Sequence, residues 1–237
     1  KDNLILDVEN PVDTYDYFWI DPDNNTVLGD NITVVKGGIY YITATKIDGT
    51  GCSRTREIVV TESNIASITD EDVIIDDGDD DNSILINNNP GNLGVGNYEF
   101  ALLDNDGNFV YNYQDNPYFG NLKGGIYTIL VRDKNGCGEA ELEVAVIELP
   151  KFFTPNSDGI NDTWNVKGVT KEFFPNSKIS IFNRYGKFIA DFTIDHPGWN
   201  GRYNGTVVFS NDYWARVELT NKNGKVRIET RNFALLR

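Results

Sequence analysis

The chain has 237 residues, 40% of them apolar and 12% aromatic, enough to bury real cores and more than one domain of about 100 to 150 residues. Its formal net charge of −15 argues against nucleic acid, whose phosphates repel an acidic body over long range. No apolar run reaches the about 18 residues of a membrane-spanning helix and no basic-then-apolar leader opens the chain, so neither a transmembrane segment nor a signal peptide is read in it.

A chain that opens on Lys1 without Met is expected to be the tail of something longer. Its first stretch, residues 1–63, is read as one β-module with Trp19 in its core. Here Lys36-Gly37-Gly38-Ile39-Tyr40-Tyr41-Ile42-Thr43 is followed by Gly51-Cys52. Residues 64–149 repeat the pattern as Lys123-Gly124-Gly125-Ile126-Tyr127-Thr128-Ile129-Leu130, followed by Gly136-Cys137. The Gly-Gly pairs are offset by 87 residues and the cysteines by 85, an immunoglobulin-domain length, so two tandem modules are expected. β-Branched and aromatic residues after each Gly-Gly suit a pleated, half-buried surface. Asp106-Gly107 and Asn135-Gly136 supply the positive backbone angles of tight hairpins. No segment keeps an apolar period of 3.6, so helices are expected to be scarce.

Cys52 and Cys137 fall in different modules, and a bridge between them would need Cα atoms within about 7 Å; two unpaired, buried thiols are expected. Between the modules, Asp76, Asp77, Asp79, Asp80 and Asp81 crowd around Gly78 ahead of the apolar strand Ile84-Leu85-Ile86. The run reads either as a divalent-ion site, with Asp76, Asp79 and Asp81 as ligands, or as a solvated loop.

Residues 150–237 form the third module, and charge marks its start. Residues 1–63 hold 5 basic and 11 acidic residues and residues 64–149 hold 3 and 17, whereas 150–237 hold 13 and 8, a net of +5. Strands are predicted at about 149–153, 163–168, 178–183, 187–193, 212–219 and 225–236. Ala215, Val217 and Leu219 alternate with Trp214, Arg216 and Glu218, marking one buried and one solvated face, and Val226 and Ile228 alternate with Arg227 and Glu229 in the same sense. The expected fold is all-β, three immunoglobulin-like sandwiches in tandem, with domains 1–63, 64–149 and 150–237.

Four motifs stand out in the third module. They are Phe152-Phe153-Thr154-Pro155-Asn156-Ser157-Asp158-Gly159-Ile160-Asn161-Asp162-Thr163-Trp164, then Phe182-Asn183-Arg184-Tyr185-Gly186-Lys187, then Gly198-Trp199-Asn200-Gly201-Arg202-Tyr203-Asn204-Gly205, and Asp212-Tyr213-Trp214. In this order and spacing they resemble the type B sorting domain of the Bacteroidota type IX secretion system, also called the gliding motility-associated C-terminal domain. The resemblance reaches from about residue 149 to residue 237. It departs from the family at Ser157, where Gly is usual, at Asn200, where Asp is usual, and over Thr206–Ser210, which lack the usual Leu-Pro-Ser. The final Asn232-Phe233-Ala234-Leu235-Leu236-Arg237 matches the family's closing strand with its basic last residue, which implies that Arg237 is the natural C-terminus. The first two modules are similar, more loosely, to the adhesin repeats that often precede such a domain in gliding adhesins of the SprB type.

The resemblance implies that the terminal domain is an export address read by the type IX translocon at the outer membrane. It implies a partner of the PorP/SprF family of outer-membrane barrels, a place at the cell surface or in the medium, and for many members a role in gliding or adhesion. The residues it marks for recognition are Thr154, Pro155, Asn156, Asp158, Gly159, Asn161, Asp162, Trp164, Arg184, Tyr185, Gly186, Trp199, Gly201, Tyr203, Gly205, Tyr213, Trp214, Phe233 and Arg237.

The residues themselves leave choices open. Asn156, Asp158, Asn161 and Asp162 around Gly159 offer hard oxygens for Ca2+, with Asp158 and Asp162 as the charged ligands, or a turn whose side chains bond their own backbone. Trp199, between Gly198 and Gly201, is a displayed docking anchor or a plug beneath a loop. Charge on a basic domain borne by an acidic body would steer it to an acidic receptor, and the strand from Lys225 to Arg237 would add to a receptor's sheet edge. No cofactor is expected beyond Ca2+. His196 is the sole histidine, set in a turn between Asp195 and Pro197, and no phosphate-cradling loop is present, so an enzyme is not expected. Two rival functions remain: a Ca2+-dependent carbohydrate-binding sandwich using Trp199 or Trp214 as a sugar platform, and a passive stalk.

Overall fold

The structure, a computed structural model, describes residues 4–78 and 81–237. The chain divides into two compact units, Lys1–Asn64 and Ile65–Arg237. Among the described residues the regular structure is all strand apart from one short 3₁₀ turn at Asp70–Asp72.

In the first unit β1 (Ile5–Asp7) pairs with β4 (Asn31–Thr33). A four-stranded sheet runs in the order β3 (Thr26–Leu28), β2 (Tyr15–Ile20), β5 (Gly38–Lys46), β6 (Ser53–Val60). Trp19, Ile32 and Tyr40 fill the core between them. The second unit opens with a three-stranded sheet, β11 (Tyr118–Leu122), β8 (Asn82–Ile86), β7 (Val73–Asp76). It faces a four-stranded one in the order β10 (Phe109–Gln114), β9 (Tyr98–Asp104), β12 (Gly125–Asp133), β13 (Glu139–Val146). Ile84, Ile86, Phe119 and Leu122 of one sheet meet Phe100, Leu102, Ile129 and Val131 of the other in one core. A second core follows under the five-stranded sheet β14 (Phe152–Phe153), β20 (Val226–Leu235), β19 (Asn211–Thr220), β15 (Asn176–Asn183), β16 (Phe188–Phe192). A small hairpin, β17 (Arg202–Tyr203) with β18 (Thr206–Val207), completes the strands.

The three large sheets share one connectivity. In each, a hairpin (β2–β3, β9–β10, β15–β16) lends its first strand to the first strand of a second hairpin (β5–β6, β12–β13, β19–β20). The third residue of that shared central strand is a tyrosine each time. Tyr40 donates to Lys36 O at 2.9 Å, Tyr127 to Lys123 O at 2.8 Å and Tyr213 to Phe209 O at 3.0 Å. This corner, a hydroxyl bonded back to the carbonyl four residues upstream, is an immunoglobulin hallmark, and it locks the entry of the central strand.

The first hairpins also share a turn. Asp21, Asp104 and Asn183 each accept N–H bonds two and four residues on through one side-chain oxygen, at 2.8–3.0 Å. The fourth turn residue takes positive φ, as Asn24 at 64°, Gly107 at 80° and Gly186 at 77°. Asn or Asp first and Gly or Asn fourth is therefore what the turn demands.

Four expectations are corrected. Residues 163–168 form no strand but two isolated bridges, Trp164 with Trp199 and Glu148 with Lys167, because this layer of the third module is made of loops. Val226 and Ile228 are 55% and 51% exposed, so the alternation on β20 faces the other way. Register explains it: Arg227 and Glu229 pair with Leu219 and Val217 and so share the core-side face, at a margin where they carry ion pairs. Cys52 and Cys137 are exposed thiols, since both stand in the turns of the second hairpins and not in their strands. Trp199 is buried and not displayed.

Candidate recognition site

The four motifs are far apart in sequence and meet at one end of the terminal sheet. The last residue ties them together. Arg237 donates through Nη1 to Pro155 O at 3.3 Å and through Nη2 to Gly201 O at 3.1 Å, and its own N–H bonds Ser210 Oγ at 3.1 Å. Lys187 lies over the ring of Tyr203 at 4.9 Å, which joins the β15–β16 turn to the β17–β18 hairpin. Gly201 leaves no room for a side chain, because a Cβ there would fall 2.7 Å from the Arg237 guanidinium.

Beneath these loops lies a cluster of rings. Phe153, Trp164, Trp199, Tyr213 and Phe233 contact one another at centroid distances of 4.4–6.1 Å, the closest being the stacked pair Trp164 and Phe233. Their polar atoms are satisfied within the domain: Trp164 Nε1 donates to Pro150 O and Trp199 Nε1 to Arg202 O, both at 2.8 Å. Trp199 is 4% exposed. The reading of Trp199 as a displayed anchor is thus corrected. A large ring with a donor at hand is worth more in a dry cluster than at the surface. Trp164, Tyr213 and Phe233 are buried with it and support the loops from beneath.

The Thr154–Asp162 loop is closed by its own side chains. Asp162 accepts from Ser157 N at 2.6 Å and Gly159 N at 2.8 Å, and Asp158 from Asn156 Nδ2 and Ile160 N, both at 2.7 Å. The Asn156 amide first, and the Ile160 N–H second, hold the Asp158 carboxyl below the usual carboxylate range. Thr154 N bonds Asn161 O at 2.7 Å and shuts the loop's base. Both carboxylates proposed for Ca2+ are turned into the turn they belong to. In the acidic run, Asp77 is bonded by Arg227 at 2.7 Å and by Ile147 N at 2.8 Å. Asp76 ends β7 and Asp81 is exposed ahead of β8, while Asp79 lies outside the described residues. No group of three or more metal-ligating side chains converges among the described residues.

What the pole presents outward is a different set. Arg184 stacks on Tyr185 at 4.7 Å at the tip of the β15–β16 turn, above Gly186, and both are exposed. Tyr203 is half-buried, Gly205 is exposed, and Trp214 is exposed on the outer face of β19. Sequence reasoning overlooked Ile160, Lys187, Arg202 and Phe209, all exposed here. Ile160 had left a signal as a large apolar residue in an otherwise polar turn, whereas Phe209 follows Val207 and Val208 and reads as part of an apolar run.

The fold and this pole define a class: immunoglobulin-like β-sandwiches ending in a domain whose motif-bearing loops are gathered at one pole. Residues 147–232 match the family model of the CHU_C type IX secretion signal domain. The terminal domain therefore carries a type IX secretion signal, which marks the protein for export through the outer membrane to the cell surface or the medium and implies contact with the secretion machinery. No curated protein matches the chain. Among solved structures it is similar to a tetra-tandem repeat from the extending region of a large adhesion protein, at 15% identity over 94% of this chain and 66% of that one, with a TM-score of 0.27. It is similar also to immunoglobulin domains 1–5 of Sidekick-1, at 10% identity over 99% and 55%, TM-score 0.37, and to two fibronectin type III domains of chicken tenascin, at 12% over 69% and 97%, TM-score 0.27. The chain spans less than two thirds of the first two. No helix among the described residues is long and apolar enough to cross a membrane.

Proposed function

We propose that this chain is the C-terminal region of a large secreted adhesin, active in surface attachment or gliding. Its terminal domain is the address that the translocon reads through an outer-membrane barrel of the PorP/SprF family. The chain performs no catalysis in this reading; the first two sandwiches space the adhesive part from the address. The observation that carries it is the convergence of the motif loops at one pole, locked by Arg237, in a domain matched by the type IX signal model. The burial of Trp199 removes one of the two rings of the sugar-platform alternative and leaves it only Trp214.

The test is export of a fluorescent protein with a periplasmic signal peptide ahead of residues 1–237, in a gliding bacterium with and without the type IX translocon. Fluorescence at the surface or in the medium only when the translocon is present is the expected result. A folded fusion retained in the periplasm of both strains would overturn the reading and leave a stalk. A deletion strain that still glides and attaches normally would remove the adhesive part of the proposal.

A further inference from the structure

Among the described residues of Ile65–Arg237, the three most exposed large apolar side chains are Phe209 at 88%, Tyr185 at 77% and Ile160 at 68%. They come from three separate segments: the stretch after β18, the β15–β16 turn and the Thr154–Asp162 loop. All three segments belong to the pole that Arg237 ties together, through Ser210 Oγ beside Phe209 and through Pro155 O at the loop that holds Ile160. Tyr185 joins them through its neighbour Lys187, which lies over Tyr203 of the β17–β18 hairpin. Exposed apolar side chains scattered singly need no explanation, but the three most exposed of a unit gathered on linked loops mark an interaction surface.

Charge says what kind of partner fits. Elsewhere in the terminal domain five cations stand against a carboxylate: Lys167 on Glu148, Lys171 on Asp195, Lys178 on Asp191, Arg216 on Glu218 and Arg227 on Asp77. Arg184, Lys187 and Arg202 at the pole are exposed and meet rings or carbonyls instead: Tyr185, Tyr203 and Gly205 O. The carboxylates of Asp158 and Asp162 on the same pole are spent on their own loop's N–H groups. At this pole cations thus stand beside exposed rings, Arg184 on Tyr185 and Lys187 on Tyr203.

We infer that this pole, with Ile160, Tyr185 and Phe209 as anchors and Arg184, Lys187 and Arg202 around them, is the face on which the export machinery is met, and that the partner is a protein surface combining carboxylates with apolar pockets. Aromatic anchors set the dwell time and the basic rim sets encounter rate and orientation. The inference rests on the export reading above and assigns the docking to one face of the domain. The outer side of β20 around Val226 and Ile228 is the competing face, since β14 pairs with that strand only at Ala234 and Leu235.

The experiment uses the same reporter ahead of residues 1–237 with three sets of changes: I160S/Y185S/F209S, R184E/K187E, and V226S/I228S on β20. Each purified chain is first melted to compare its fold with the wild type. The expected result is a loss of export of at least ten-fold for the first set and several-fold for the second, at unchanged melting temperature, with wild-type export for the third. R184E/K187E changes only exposed side chains and keeps the test open if the triple variant melts early. Wild-type export by the folded R184E/K187E or triple variant, or loss with V226S/I228S alone, would overturn the assignment of this face. A wild-type fusion that is itself not exported would overturn the export reading, and the assignment with it.

Discussion

Three tyrosines, Tyr40, Tyr127 and Tyr213, recur 87 and 86 residues apart and do the same work at the mouth of each central strand. Their rings fill the cores, and burial pushes the hydroxyls of Tyr127 and Tyr213 upward from the ordinary tyrosine range. Replacing Tyr127 by Phe keeps the ring and leaves Lys123 O without its donor; urea denaturation is expected to show a loss of about 1 kcal/mol. The Asx turns predict a pH effect with a definite sign. Bonds from the Asn108 N–H, and then from the Asn108 side chain, hold Asp104 below its ordinary value. Its stabilisation is present in full above the ordinary carboxylate pKa of about 3.9 and is lost as pH falls through the lower folded value. Asn183 closes the same turn without titrating. The D104N variant is therefore expected to lose less melting temperature than wild type between neutral and acid pH, and an equal loss would show that the turn does not sense acid.

At the scale of elements, β20 shows how a single strand holds both the sheet and the pole. It pairs with β19 over ten residues and receives β14 at its end. Deleting residues 225–237 removes that ladder, the ring of Phe233 and the Arg237 clamp together. Such a deletion is expected to unfold the terminal domain, which limited proteolysis would read as a cut back to the second sandwich. The ring cluster predicts a contrast between neighbours in the motifs. W199A, in the cluster, is expected to cost roughly 3 to 5 kcal/mol. Y185S, at an exposed tip, is expected to stay within about 0.5 kcal/mol of wild type. Equal effects in chemical denaturation would contradict the division of the motifs into framework and display.

Within Ile65–Arg237 the terminal domain is latched to the sandwich before it. Glu148 accepts the Gly124 N–H at 2.7 Å, as Glu62 accepts the Gly37 N–H at 2.5 Å in the first unit. Here the same glutamate also bonds Lys167 Nζ at 2.6 Å, and its backbone exchanges two hydrogen bonds with Lys167. Gly168 follows at φ +73° so close to the second sandwich that a Cβ would lie 1.8 Å from Val146 O. Across the same junction Arg227 meets the buried Asp77. Removing Asp77 leaves Arg227 and the Ile147 N–H short of a partner; D77A is expected to cost about 2 kcal/mol, less than a fully buried pair because Arg227 is partly solvated. Hydrogen exchange should then quicken at Ile147 and Gly78. A fragment of residues 150–237 is expected to melt below one of 65–237, and equal melting would mean that the latch adds no stability.

Much of this was legible in the chain because it is local. The Gly-Gly-Ile-Tyr repeat, the two-residue alternation of β19, the Asn and Asp turns and the charge reversal near residue 150 all depend on neighbours in sequence. So did the export reading, since a motif is a string of neighbours. What the tertiary structure alone decided depends on residues far apart. Alternation on β20 divides Val226 and Ile228 from Arg227 and Glu229, but only pairing with β19 selects the face that turns inward. Trp199 between two glycines reads equally as display or plug until Phe153, Tyr213 and Phe233 are brought around it. Arg237 becomes a clamp only because folding carries Pro155 and Gly201 to the chain's last residue, and that gathering is what turns four separate motifs into one surface.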